Sequence, residues 1–314
     1  VIQVAEVVEN TQLCREHLRL VLRLDSLPPA RPGQFVHIRP ESVASLTRAS
    51  ADAPGGESHD DWLAECKAPT LRRAFSIAGL RRYDDGAEVD VIYRVVGVAT
   101  HRMALLRRGD RVSVIGPLGN AFPISADKSH AWLVSGGVGL PPMLWLAEAL
   151  SEQNKETVAF YGAQTVDLLA VSCATNVAPL HDASRATLSA IEFASTDTPV
   201  VMSTDDGSYG YHGHVGAAMA AYHAANPTAA EELVVYTCGP ELMMRFVADY
   251  CSARGIECHA CLERDMACGT GLCQSCVVAV RADADPADFS YELCCREGPV
   301  FEATRVIWDP DAQP

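Results

Sequence analysis

From Val1 to Ile115 apolar and polar positions alternate in short runs, Val1 to Val8, His17 to Leu24, Gln34 to Arg39, Arg73 to Gly79, Glu88 to Val96 and Arg111 to Ile115, divided by Pro and Gly. A period of two marks half-buried strands, and short strands at this spacing predict an antiparallel β-barrel. One segment breaks the rhythm. Residues 41–70 are polar, carry Ala53-Pro54-Gly55-Gly56 and hold no sustained period, which reads as a surface loop or disordered insertion.

From Ala131 the pattern becomes alternating strand and helix. Trp132 to Val134, Val158 to Tyr161, Val200 to Met202 and Leu233 to Tyr236 are buried strands; Leu140 to Ser151, Val215 to Ala225 and Glu241 to Ala253 are helices. That order predicts a doubly wound parallel α/β sheet. After Gly255 a cysteine-rich tail forms a third unit, small enough that its folding is expected to lean on a metal. The fold expected is therefore α+β multidomain, with a β-barrel at 1–126, an α/β domain at 127–254 and a small C-terminal domain at 255–314.

Composition narrows the partners. The 314 residues are 48% hydrophobic and 21% charged, and 25 basic against 40 acidic residues leave a formal charge of −15. Such a field repels nucleic acid and anionic membrane. No apolar run is long enough for a membrane span, and Val1-Ile2-Gln3-Val4 lacks the basic flank and cleavage site of a signal peptide, so a cytoplasmic location is expected.

Of 12 cysteines, seven lie between Cys258 and Cys295. Twelve in 314 residues is too dilute for a disulfide scaffold, and the crowding of seven in one segment points to metal. Cys268, Cys273 and Cys276, followed by Cys294 and Cys295, have the C-x4-C-x2-C…C spacing of a plant-type [2Fe–2S] site. Gly269 and Gly271 let the backbone fold close and aim N–H groups at sulfur. Zinc is the rival, because Cys258-x2-Cys261 and Cys273-x2-Cys276 form two C-x2-C pairs. Against it, Cys258 and Cys261 lie in an apparent strand, whose period sends them to opposite faces. Spacing alone leaves Cys294 and Cys295 as alternatives for the fourth ligand.

Other motifs suit nucleotides. Arg73-Ala74-Phe75-Ser76 ends a barrel strand, with Arg73 placed for a phosphate and Phe75 for an isoalloxazine ring. Gly97 and Thr100 open a helical stretch and offer a second phosphate contact. Gly136, Gly137 and Gly139 follow the first parallel strand, where an open α/β sheet binds pyrophosphate. Asp205, in Thr204-Asp205-Asp206-Gly207-Ser208-Tyr209-Gly210, reads as turn chemistry or as a contact to a metal or to ribose hydroxyls. Cys238, the candidate catalytic residue or else a small buried hydrophobe, and Gly239, in Cys238-Gly239-Pro240-Glu241, end the last parallel strand where a nicotinamide would lie. No hydrolase motif is found.

A barrel with R-x-F-S and a Gly-rich sheet ending in C-G-P resembles the ferredoxin–NADP reductase superfamily. Leu71 to Ile77, Ile115 to Asn120, the run from Thr204, Cys238 to Glu241, Met266 to Gly269 and Cys295 to Phe301 together resemble the family of electron transfer subunits of class 1B dihydroorotate dehydrogenase. The resemblance implies FAD in the barrel, NAD on the sheet and a [2Fe–2S] cluster held by Cys268, Cys273, Cys276 and Cys295. It also implies an FMN-containing catalytic subunit as partner, in a heterotetramer, with electrons passing from FMN through the cluster and FAD to NAD+ in pyrimidine biosynthesis. Cys295 is favoured over Cys294 because it directly precedes the E-G-P-V-F run. NAD is favoured over NADP because no Lys or Arg lies between Lys155 and Arg185, where a 2′-phosphate would want a cation. Ser135 and Ala99 depart from the family's glycines, and 41–70 and 173–185 look like insertions. Two alternatives stand beside this: a related FAD/[2Fe–2S] subunit for a sulfide dehydrogenase, NAD(P)H:ferredoxin oxidoreductase or hydrogenase, and a zinc-binding scaffold without redox function. In some of those reductases the first ligand is Asp, so Cys268 favours the dihydroorotate reading.

Overall fold

The structure, a computed structural model, describes residues 1–42, 71–177, 180–282 and 288–308. The insertion expected at 41–70 lies outside these residues apart from the strand end at 41–42.

The first six strands are β1 (Ile2–Gln12), β2 (His17–Leu24), β3 (Phe35–Ser42), β4 (Arg73–Tyr83), β5 (Gly86–Arg94) and β6 (Arg111–Leu118). They close in the order β1-β2-β5-β4-β3-β6, every pairing antiparallel. Alternation drives the closure. Ala5, Val7, Val36, Ile38, Ile77, Val89, Val91, Val112 and Val114 all point inward to one core, and a closed barrel leaves no edge strand exposed. Helix α1 (Val98–Ala104) follows β5 and buries Met103 in that core.

The second sheet has seven strands: β7 (His130–Gly136), β8 (Glu156–Ala163), β9 (Val200–Thr204), β10 (Tyr211–His212), β11 (Leu233–Cys238), β12 (Glu257–Cys261) and β15 (Val300–Glu302). The order β10-β9-β8-β7-β11-β12-β15 is parallel throughout except for β15. β9 and β11 are buried at every position, as expected of strands covered on both faces. Helix α2 (Leu140–Glu152) covers one face. Helices α3 (Val215–Ala225) and α4 (Glu241–Ser252) cover the other.

The chain behind the 254/255 boundary divides differently from the sequence-based expectation. Glu257–Cys261 pairs in parallel with β11 residue by residue from Val234↔Glu257 to Cys238↔Cys261, so the sheet runs on into the segment assigned to the third unit. A hairpin of β13 (Val277–Arg281) and β14 (Phe289–Leu293) completes that unit. Its apolar residues Cys276, Val278, Val280, Cys294 and Val306 join the core under α3 and α4, so it has no separate core of its own.

Barrel, sheet and C-terminal unit are locked together. Trp145 of α2 is buried in the barrel core. Asn120, just past β6, donates from Nδ2 to the carbonyls of Glu297 at 2.7 Å and Val300 at 2.8 Å, and its Oδ1 accepts from Val300 N–H at 2.9 Å. At roughly 1 kcal/mol net per bond, Asn120→Ala is expected to destabilise the C-terminal unit by about 2–3 kcal/mol. Hydrogen exchange would reveal faster exchange across β13 to β15 and little change in β1 and β2.

Candidate functional site

A cleft of about 900 Å3 opens between the barrel, the start of α2 and the segment after β12, within the size range of small-molecule and cofactor sites. Arg73, Ala74, Phe75 and Ser76 line one wall, and Gly97 and Thr100 another. The sequence motif is thus brought together, and its polar members differ in availability. Arg73 is exposed at the cleft and bonds the carbonyls of Leu71 and Arg72, with no carboxylate partner among the described residues. Arg94 and Arg264 line the same cleft but are engaged, by Glu16 at 2.6 Å and Glu241 at 3.0 Å.

Phe75 packs edge-on against Tyr93 at 5.9 Å. The Tyr93 hydroxyl donates to Asn10, and burial pushes its pKa up. Thr100 is committed to the turn: its hydroxyl accepts from Val96 and Gly97 N–H and donates to the Gly97 carbonyl. What faces the cleft here is the backbone of Gly97, a surface without a side chain.

Sequence reasoning missed the third wall, Leu262 to Met266, contributed by the link between β12 and the first cluster cysteine. The position of this link directly before Cys268 was the available signal. Within it, the Glu263 carboxyl is reachable from the cleft yet set deep enough in protein that burial raises its pKa.

At the carboxyl edge of the sheet, strand order reverses between β7 and β11, the switch point where open α/β sheets bind ligands. Two glycine turns meet there. A Cβ on Gly139 would lie 2.0 Å from the Cys238 carbonyl, and one on Gly239, at φ +143°, would lie 2.8 Å from the Gly136 carbonyl. Gly137 opens onto free space. Cys238 itself is wholly buried, its thiol hydrogen-bonded to Cys261, which together with burial lifts its pKa well above the usual range. It therefore supports the edge from beneath and does not line the cleft. Asp205 is exposed beside a compact turn in which Thr204 Oγ1 bonds both Tyr209 N–H and carbonyl at 2.9 Å. Ser208 donates to Asp206 through N–H and hydroxyl.

The cysteine loop closes on itself. Gly269 and Gly271 have φ of +69° and +84°, conformations that a side chain would strain. Cys268 Sγ accepts from Thr270 and Cys273 N–H, each at 3.4 Å. Burial opposes ionisation of Cys268, but these N–H groups outweigh it and hold its thiol down to about 6. Cys273 Sγ lies 3.2 Å from Ser275 Oγ, which lowers its pKa. Cys295 donates its N–H to Cys276 Sγ at 3.4 Å; its own thiol, pushed up to about 12 mainly by burial, also interacts with Cys276 and feels Cys268. Cys268 thus lies beside Cys273 and Cys276 beside Cys295, but among the described residues these side chains do not close into a ready-made metal-binding group. Cys294 turns away, bonding the Leu262 carbonyl at 3.4 Å. Cys258 pairs with Cys251 and Cys261 with Cys238, so the proposed zinc pair splits across the sheet.

Soft sulfur donors on a glycine loop with inward N–H groups fit an iron–sulfur cluster. A buried orphan supports the fit: His37 on β3 is fully buried, and both its ring nitrogens lack a partner among the described residues. Burial and the nearby Arg72 and Arg73 hold its pKa down to about 4. Bare buried polar groups cost about 1–3 kcal/mol each unless a bound group satisfies them.

Residues 263–307 match the family model described as the iron-sulfur cluster binding domain of dihydroorotate dehydrogenase B, and residues 133–249 match the oxidoreductase NAD-binding domain. The electron transfer subunit of dihydroorotate dehydrogenase B (NAD(+)) from Bacillus caldolyticus is 33% identical over 88% of this chain and 87% of its own length. The chain belongs to that family. The family's subunit from Streptococcus mutans serotype c is 28% identical over 96% of this chain and 97% of its own. Among solved structures, a chain of an NADH-dependent reduced ferredoxin-NADP oxidoreductase superposes with a TM-score of 0.72 at 25% identity, over 97% of this chain and 90% of that one. The cofactors of this electron transfer subunit are FAD, [2Fe–2S] and NAD.

The glycine packing yields a contrast. Gly136→Ala meets the flexible Met243 Sδ at 2.9 Å, whereas Gly139→Ala meets backbone at 2.0 Å. Gly136→Ala is expected to keep the thermal midpoint within a few degrees of the parent. Gly139→Ala is expected to lower it clearly and to weaken NADH binding at least tenfold by calorimetry.

Proposed function

We propose that this chain passes electrons from an FMN-containing dihydroorotate dehydrogenase catalytic subunit to NAD+, as one half of a heterotetramer. The match of residues 263–307, which include Cys268, Cys273, Cys276 and Cys295, to an iron-sulfur cluster binding domain, together with a flavin-sized cleft lined by the segment before Cys268, carries the reading. When bound, the cluster supplies one-electron transfer and FAD the exchange between single electrons and a hydride.

The chain's own residues have assignable tasks. Arg73, with no carboxylate partner among the described residues, binds phosphate, as guanidinium does well. Ala74, Phe75 and Ser76 form the wall for the flavin ring, and Gly97 and Thr100 shape the turn beside its pyrophosphate. Gly136, Gly137 and Gly139 would hold the NAD pyrophosphate, Asp205 would take its ribose hydroxyls, and Cys238 and Gly239 would support the nicotinamide from the sheet edge. Burial at the cleft wall raises the pKa of the Glu263 carboxyl. The loop tip supports a docking partner, since Leu272 is 86% exposed beside exposed Cys273. An exposed leucine next to a redox ligand suits a protein partner that excludes water there.

The overall likeness to an NADH-dependent reduced ferredoxin-NADP oxidoreductase favours, as second reading, a reductase subunit serving another partner. Copurification decides between them: an FMN-bearing partner with dihydroorotate:NAD+ activity is expected, and a different partner without that activity would favour the second. Cys295→Ser should abolish cluster-dependent transfer while NADH still reduces the flavin. Cys294→Ser should retain the cluster, and its loss there would refute the ligand assignment.

A further inference from the structure

We propose that the Glu263 carboxyl carries the proton that flavin chemistry in the cleft requires, giving it to the bound ring as electrons arrive from the cluster and taking it back when they leave that way. The role rests on the flavin reading above. Electrons delivered one at a time bring no proton, whereas a hydride leaving for NAD+ takes one proton and two electrons away together. Each turnover therefore loads the ring with two electrons from the cluster and one proton from the cleft wall. The Glu263 carboxylate then regains its proton from solvent, which closes the balance.

The chain clamps Glu263 on both sides. Leu262 donates its N–H to the Pro299 carbonyl at 2.8 Å, and its own carbonyl accepts from the Cys294 thiol at 3.4 Å. The Arg264 side chain is held by Glu241 at 3.0 Å, and the Asp265 carbonyl accepts from Ser275 Oγ at 3.1 Å. The Glu263 carbonyl is taken by Arg264 at 2.9 Å, but its carboxyl has no hydrogen-bond or ion-pair partner among the described residues. Glu263 is exposed and lines the cleft, yet protein shields it enough for burial to raise its pKa. A group both accessible and shielded faces a concavity, and the cleft is that concavity. The charge of Glu263 is felt by the Cys238 thiol, which sets the carboxyl near the carboxyl edge of the sheet. Other groups on the cleft are poorer proton carriers. Arg73, Arg94 and Arg264 line it, and guanidinium does not give up its proton in proteins. The Tyr93 hydroxyl is spent on Asn10, and Cys238 is wholly buried beneath the edge. Asp265 is the other carboxyl on this wall, two residues nearer the cysteine loop.

The test uses the subunit purified with its cluster and FAD and reduced with dithionite. NAD+ removes the electrons as hydride, whereas ferricyanide removes them singly and leaves the proton behind. In stopped-flow absorbance, Glu263→Gln is expected to slow flavin reoxidation by ferricyanide about a hundredfold and to lose the parent's solvent isotope effect, while reoxidation by NAD+ stays close to the parent. Equal slowing with both oxidants, or slowing with neither, overturns the role. Infrared difference spectra between oxidised and reduced protein read the carboxyl without turnover. A protonated-carboxyl C=O band that shifts on reduction and in D2O is expected, and is expected to vanish in Glu263→Gln. A band that survives that substitution belongs to another carboxyl, such as Asp265, and overturns the proposal. Unsubstituted protein labelled with 13C-glutamate decides the matter even where Glu263→Gln fails to fold: the band is expected to move with the label, and absence of a glutamate band overturns the proposal. Protein without FAD would overturn the flavin reading as well, whereas flavin-loaded protein indifferent to Glu263 overturns this role alone.

Discussion

The parallel pairing of β12 with β11 is the constraint on which the rest depends. It sets Cys261 opposite Cys238 at the carboxyl edge of the sheet, and the chain leaving that edge has no freedom to wander. Leu262 to Met266 must form a wall of the flavin cleft before Cys268 begins the cysteine loop. Five residues beyond Glu263 the extended chain reaches at most about 18 Å. One covalent segment therefore holds the nicotinamide edge, the cleft and the cluster loop in a fixed series.

Around that series the packing is shared and not modular. The cysteine unit contributes to the core under α3 and α4, Trp145 reaches into the barrel, and Asn120 clasps the segment that enters β15. Shared cores suit electron transfer because separate centres keep their spacing only if the elements between them cannot shift, and close-packed interiors resist such shifts.

Much of this was legible in the sequence. Period-two alternation marked the barrel strands because one face of each fills the barrel core, although the outward residues Phe35 and His37 of β3 are buried as well. The cysteine array stood out because its first three ligands are near neighbours in the chain. Other features depend on contacts that sequence spacing does not encode. Cys294 and Cys295 are adjacent, and only the fold turns one to Leu262 and the other to Cys276. The strand at Glu257–Cys261 was grouped with the cysteines by composition, although its partner is β11. Thr100 reads as a free hydroxyl at a helix start, but it is consumed by its own turn. His37 gave no signal, since its neighbour Gly269 lies at the far end of the chain.

One chain brings a flavin cleft and a cysteine-held iron–sulfur site together. Their coexistence is tested most directly by quantifying iron, acid-labile sulfide, zinc and flavin on a single purified sample and recording its EPR spectrum after reduction. The account predicts two irons and two sulfides for each FAD, little zinc, and the signal of a reduced [2Fe–2S] cluster. Colourless protein that holds zinc, without iron or flavin, would contradict it.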